Sequence, residues 1–189
     1  MIKPITSFDC AAPWILGAEG GYVNIIGDRG SATKYGISLR YLILKPDSDG
    51  DGFKDGDLNH DGLIDFNDVQ ILTERQALAI YETDFWTAGR CGEMPRHVAL
   101  ALFDGRVNHS PKVAAMLVQR ALRVDQDGLI GPATIRAACD SDPATFLGYY
   151  LAHRAQFYAD LVRMDSTQAQ FELGWYRRLF LLQAYILRA

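Results

Sequence analysis

The 189-residue chain has no apolar run of 18 residues or more, so no membrane-spanning helix is expected. Its start, Met1-Ile2-Lys3-Pro4-Ile5-Thr6, has no apolar stretch of signal-peptide length, and no secretory leader is expected. Cysteine is scarce. Cys10, Cys91 and Cys139 are odd in number and far apart, which argues against a disulfide framework and against a zinc-type ligand pattern. They read as buried thiols of a protein made in a reducing compartment. There is no linker-like stretch and no internal repeat outside one acidic segment. The length suits one domain, or one with a small lobe, and 49% apolar residues can fill a core. The net charge of −4 is unevenly placed. Eight aspartates fall between residues 47 and 68, with Lys54 the one lysine or arginine among them. Taking these eight from 23 acids and Lys54 from 19 bases leaves 15 against 18, so the rest of the chain is mildly cationic. Such a body suits an anionic polymer or surface. No nucleic-acid partner is expected, and a monomer is.

The most informative stretch begins at Glu19. Phe8, Ala12, Ile15 and Glu19 fall on one face of a helix predicted over residues 7–19, which starts late because of Pro13. Gly20 and Gly21 end it. A carboxylate at a helix C-terminus on an apolar face is pushed toward its protonated form, as a general acid requires. Residues 20–37 alternate short apolar runs with Gly, Asn and Asp, and read as a two- or three-stranded β-lip. This lip would carry Asp28, Thr33 and Tyr35 back over the helix end. In the plainer reading, Glu19 only pairs with Arg29, and Asp28 is a turn residue in Gly27-Asp28-Arg29-Gly30.

The acidic segment has a register. Asp57, Asn59, Asp61, Asp65 and Asp68 occupy positions 1, 3, 5, 9 and 12 of an EF-hand-type loop. Gly62 stands at position 6, and Leu63 offers its carbonyl at position 7. With Asp as its last ligand, the loop resembles those of dockerins. Upstream, Asp47, Asp49, Asp51 and Asp55 repeat the pattern, but Leu58 stands at position 12. One or two structural Ca2+ ions are expected. The alternative is a solvated acidic loop.

Elsewhere the chain is helical. Residues 38–44 form a short helix or strand, and Thr73-Glu74-Arg75-Gln76 is a capping box. Ala77, Leu78, Tyr81 and Phe85 form the buried face of the helix it opens, and Pro95 opens the next. Val98 to Phe103 is apolar all round, as in a central buried helix. Asp104 and Asn108 share one of its faces, where they either line a cleft or satisfy local backbone. Val113–Leu122 is amphipathic, Asp125–Gly128 turns, and Pro132 starts a short helix. Asp142-Pro143 caps a stripe from Phe146 to Leu161, and a last helix runs over residues 169–188. That helix has a docking face of Trp175, Leu179, Leu182 and Ile186, yet Phe180, Leu181, Tyr185 and Leu187 are apolar too. With three arginines and no acid after Gly174, it suits either the core or an anionic membrane surface.

Glu19-Gly20-Gly21-Tyr22, followed by Asp28-x-Gly30-x-x-Thr33-x-Tyr35-Gly36-Ile37, resembles the N-terminal signature of the family-108 glycoside hydrolases, N-acetylmuramidases found in many phage endolysins. Ala101–His109 resembles a second stretch of that family, and Asp127–Thr134 its peptidoglycan-binding part. Ser31, Lys34 and Ser110 depart from the usual glycine, asparagine and glycine. The resemblance implies a mainly α, lysozyme-like α+β fold. It implies a catalytic region over residues 1–110 with a calcium-loop insert at 45–70, and a peptidoglycan-binding part over 111–189. Glu19 would be the acid, Asp28 the second carboxylate, and Thr33 would hold a water; Tyr22, Tyr35, Asp104 and Asn108 would lie on the substrate side. The reaction implied is hydrolysis between N-acetylmuramic acid and N-acetylglucosamine, with host lysis after a holin opens the way to the wall. A lytic transglycosylase and a non-catalytic wall-binding module are the alternatives.

Overall fold

The computed structural model describes residues 6–18, 22–23 and 32–188. The fold is mainly α with a small antiparallel sheet, as expected. Contacts divide the chain into one unit of residues 1–14 and 82–189 and another of residues 15–81.

The expected helix near the N-terminus is α1 (Ala12–Ala18), whose residues up to Trp14 lie in the first unit with the 3-10 turn Phe8–Cys10 and whose remainder opens the second. Strands β1 (Tyr22–Val23), β2 (Thr33–Lys34) and β3 (Ile37–Ser38) pair in that order, with Val23 opposite Thr33 and Lys34 opposite Ile37. Tyr35 and Gly36 join β2 to β3 with φ of 51° and 77°. Two successive left-handed residues give the turn whose twist matches that of the strands. Ser38 then caps α2 (Leu39–Ile43), so of the two readings of this stretch the helix is found, over residues 39–43. The acidic segment ends in α3 (Phe66–Ile71), and the Thr73/Gln76 capping box opens α4 (Glu74–Ile80) with both reciprocal bonds made. The lip is tied to α3 where Lys34 Nζ donates to the Gln70 carbonyl at 2.6 Å. The acidic loop is held against α2 at Gly56, where a Cβ would lie 2.2 Å from the Leu42 carbonyl oxygen. Only glycine fits there.

The helix expected to continue through Phe85 changes pitch. Tyr81–Thr87 is a π-helical segment. Its wider turn places residues five apart on one side.

The helical unit is built on α5 (Arg96–Asn108), whose residues Val98 to Phe103 are all fully buried. Phe8 and Trp86 pack edge-on against Phe103. Against α5 lie α6 (Pro111–Leu122), α8 (Pro143–Met164) and α9 (Ala169–Leu187), while α7 (Pro132–Cys139) packs on α6. Ser110, one of the departures noted above, caps α6 by accepting from Val113 N–H. Gln119 organises the Asp125–Gly128 turn: its amide donates to Asp127 and the Leu129 carbonyl, and its oxygen accepts from Gly128 N–H. At Gly105 a Cβ would meet the Tyr150 hydroxyl at 2.8 Å. That close approach lets Tyr150 donate to the Ala101 carbonyl at 2.6 Å and joins α8 to α5. Leu179, Leu182 and Ile186 of α9 are buried, and Trp175 stacks on Tyr158 at 4.8 Å, so the expected docking face is used.

Candidate active site

Glu19 and Asp28 lie outside the described residues. Glu19 follows the end of α1 by one residue and precedes β1 by three. Tyr22 opens β1. Thr33 is half-buried in β2 between its partners Val23 and Ser38. Tyr35 is half-buried in the β2–β3 turn, where its carbonyl accepts from the Tyr81 hydroxyl at 3.0 Å. The described part of the lip is therefore pinned at its turn by the end of α4 and at β2 by α3.

Asp104 is fully buried in the helical unit. Its Oδ1 accepts from Trp14 Nε1 at 2.9 Å and Arg178 Nε at 2.8 Å, and its Oδ2 accepts from Arg154. One carboxylate thus joins α1, α5, α8 and α9. Burial pushes its pKa up, but the guanidinium groups of Arg154 and Arg178 outweigh that and hold it below the ordinary carboxylate range. Arg154 is also fully buried; its other terminal nitrogen donates to the Tyr158 hydroxyl at 2.7 Å. Asn108 turns back on its own helix and donates to the Asp104 carbonyl at 2.7 Å. Of the two readings of this pair, Asn108 takes local backbone satisfaction, and Asp104 holds Trp14. That bond fixes the first turn of α1 within the helical unit.

Arg154, Arg178 and Trp14 did not stand out in the sequence. The available signal was Arg154 itself, four residues from both Tyr150 and Tyr158 on the buried stripe of α8.

His109 sits at the edge of this network, its ring 4.9 Å from that of Phe157 and its Nε2 3.4 Å from the Tyr158 hydroxyl. Burial first, then the charge of Arg154, lower its pKa to about 4. A free imidazole titrates near 6.5, so between roughly pH 6.5 and 4 the unfolded chain takes up a proton that the folded chain refuses. Stability contributed by His109 is therefore full above that window and lost as pH falls through it. Asp104 has its pKa lowered as a carboxylate and loses its contribution only below about pH 4. Melting temperature measured from pH 6.5 to 4.5 should fall less steeply in His109→Phe than in the parent. The slope should not vanish, because His97 and His153 are lowered by burial as well. Equal slopes would remove His109 from the account.

In the acidic segment, Asp57 accepts from Asp61 and Gly62 N–H, Asn59 from Asp61 N–H, and Asp61 from Leu63 N–H. Gly62 has φ of 87°. These bonds wind the loop as its register requires. Asp65 caps α3, and the buried Asp68 accepts from Leu58 and Asp65 N–H, so the last two ligand positions form the start of that helix. Upstream, Asp47 accepts from Gly50 and Gly52 N–H, and Asp51 from Phe53 N–H. Carboxylate oxygens of Asp47, Asp49 and Asp55 lie within 4.8 Å of one another, the one such acidic group among the described residues. Phe53 stacks on His60 at 4.9 Å, linking the two half-loops. A hard cation with oxygen ligands fits this donor set.

Residues 12–110 match the family model described as Glycosyl hydrolase 108, and residues 113–180 match one described as Predicted Peptidoglycan domain. Among solved structures, Brucella abortus SagA is similar at 25% identity and a TM-score of 0.73, over 95% of this chain and 93% of that one. No curated protein matches the chain significantly.

Proposed function

The chain belongs to the glycosyl hydrolase 108 family, whose action here is on peptidoglycan, and from that premise we propose that it is an N-acetylmuramidase. In this reading it hydrolyses the β-1,4 bond between N-acetylmuramic acid and N-acetylglucosamine and acts as a monomeric endolysin released to the wall through a holin. The observation that carries the reading is the order of the two matched regions, with Glu19 at the junction of α1 and the lip inside the first. Glu19 protonates the glycosidic oxygen as the bond breaks, and its carboxylate then takes the proton of the incoming water. Asp28 is the second carboxylate, Thr33 holds the water, and Tyr22 and Tyr35 meet the sugar. The test is end-group analysis of digested peptidoglycan. Reducing muramic acid ends are expected. Anhydro-muramic ends would make the protein a lytic transglycosylase, and no new ends would make it a wall-binding module.

Calcium is assigned a structural role. The carboxylates of residues 47–68 hold it, and its effect reaches the lip through α3 and the Lys34–Gln70 bond. A ligand bound only by the folded state stabilises it by about 2.7 kcal/mol at a hundredfold excess over its Kd. That corresponds to a rise of roughly 5–10 °C in melting temperature for a protein of this size. Asp61→Ala should remove most of the rise and Asp47→Ala less of it, because Asp61 belongs to the loop that ends in α3. Equal melting temperatures in calcium and in chelator would rule the ion out.

A further inference from the structure

Helix α9 has a second apolar face, opposite the one that docks. Its inner side is fully engaged. Leu179, Leu182 and Ile186 are buried, Arg178 reaches Asp104, and the Tyr185 hydroxyl donates to the Cys10 carbonyl. The outer side is in water, with Leu173 81% exposed, Phe180 70%, Leu181 51% and Leu187 55%. These residues recur at helical spacing with Arg177 and Arg188, both exposed, on the same stripe. No acid follows Glu172. Docking in the fold does not account for this stripe, since half or more of each of these residues stays exposed. Apolar residues so exposed along one stripe mark a contact surface.

The charge on the stripe selects the occupant. A second copy of the chain, meeting this face with its own, would bring arginine against arginine, since the helix carries no acid after Glu172. An anionic bilayer supplies the missing negative charge and an apolar layer for the leucines and Phe180. No helix among the described residues is long and apolar enough to cross a membrane. An apolar stripe flanked by arginine is instead the pattern of a helix lying in the interface. We propose that the outer face of α9 seats the protein on an anionic lipid surface, a binding function separate from wall hydrolysis.

The experiment is sedimentation of the intact protein with vesicles of phosphatidylglycerol and phosphatidylcholine, against vesicles of phosphatidylcholine alone. Binding to the anionic vesicles is expected, weakening as salt shortens the Debye length. Each basic residue near such a surface contributes roughly fivefold in affinity, so R177Q/R188Q should weaken binding about thirtyfold. L181S/L187S should weaken it by at least about tenfold through loss of inserted apolar surface. Both variants should keep the parent melting temperature and helix content, which separates loss of this surface from loss of the fold. Equal sedimentation with both vesicle types, or variants that bind as the parent does, would overturn the proposal. So would a concentration-dependent dimer, broken by L181S/L187S in light scattering, with no vesicle binding; the face would then belong to a second copy.

Discussion

Glu19→Gln is expected to lower the rate of peptidoglycan clearing by about 10²–10⁴-fold, the range for loss of a general acid. The swap keeps the size and hydrogen-bonding capacity of the side chain and removes only its ability to deliver a proton. Secondary structure and melting temperature should be those of the parent, because an amide replaces a carboxylate of the same size and shape. Asp28→Asn is the comparison. A loss of similar size assigns the second carboxylate, and a mild loss leaves Asp28 as a turn residue. Half or more of the parent rate in Glu19→Gln would end the assignment of Glu19.

The second large effect is on stability. Asp104 is one carboxylate between two guanidinium groups, so its neutralisation leaves Arg154 and Arg178 facing each other without a counter-charge. Breaking a buried pair by removing one partner costs about 3–5 kcal/mol, roughly 10–15 °C in melting temperature at this chain length. Asp104→Asn should show that loss. Arg154→Met should cost less, because Asp104 keeps Arg178 at 2.8 Å and Trp14 at 2.9 Å. The order of the two variants is the test. A melting temperature for Asp104→Asn within 2–3 °C of the parent, or below the parent by less than Arg154→Met, would show that the network is not the clamp described here. In Asp104→Asn, activity should also fall at temperatures where the protein is still folded, since the start of α1 loses its charged anchor.

Much of the fold was legible in the sequence because its signals are local. The Thr73/Gln76 capping box, the Asp142 cap and the uniformly apolar run from Val98 to Phe103 each depend on neighbours within one or two turns. The inner face of α9 followed from its period. The acidic loop winds by bonds of the same local kind, its side chains accepting from N–H groups two to five residues on. The change to π-helical pitch at Tyr81 was not legible, because the same residues fit an ordinary helix and only their packing selects the wider turn.

The candidate site divides in the same way. Its acid, lip and calcium-type register were read from motif and spacing, and the chemistry proposed for Glu19 still rests on them. The tertiary structure decided which charges meet. Asp104 lies 50 residues from Arg154, 74 from Arg178 and 90 from Trp14, and no periodicity links positions that far apart. A buried charge is tolerable only when paired, so the helices had to bring these groups together, and only their packing could show which arginines were used. The same packing decided between two uses of α9. Among the described residues its inner apolar face is buried and its outer one exposed, a distinction absent from a sequence that is apolar on both.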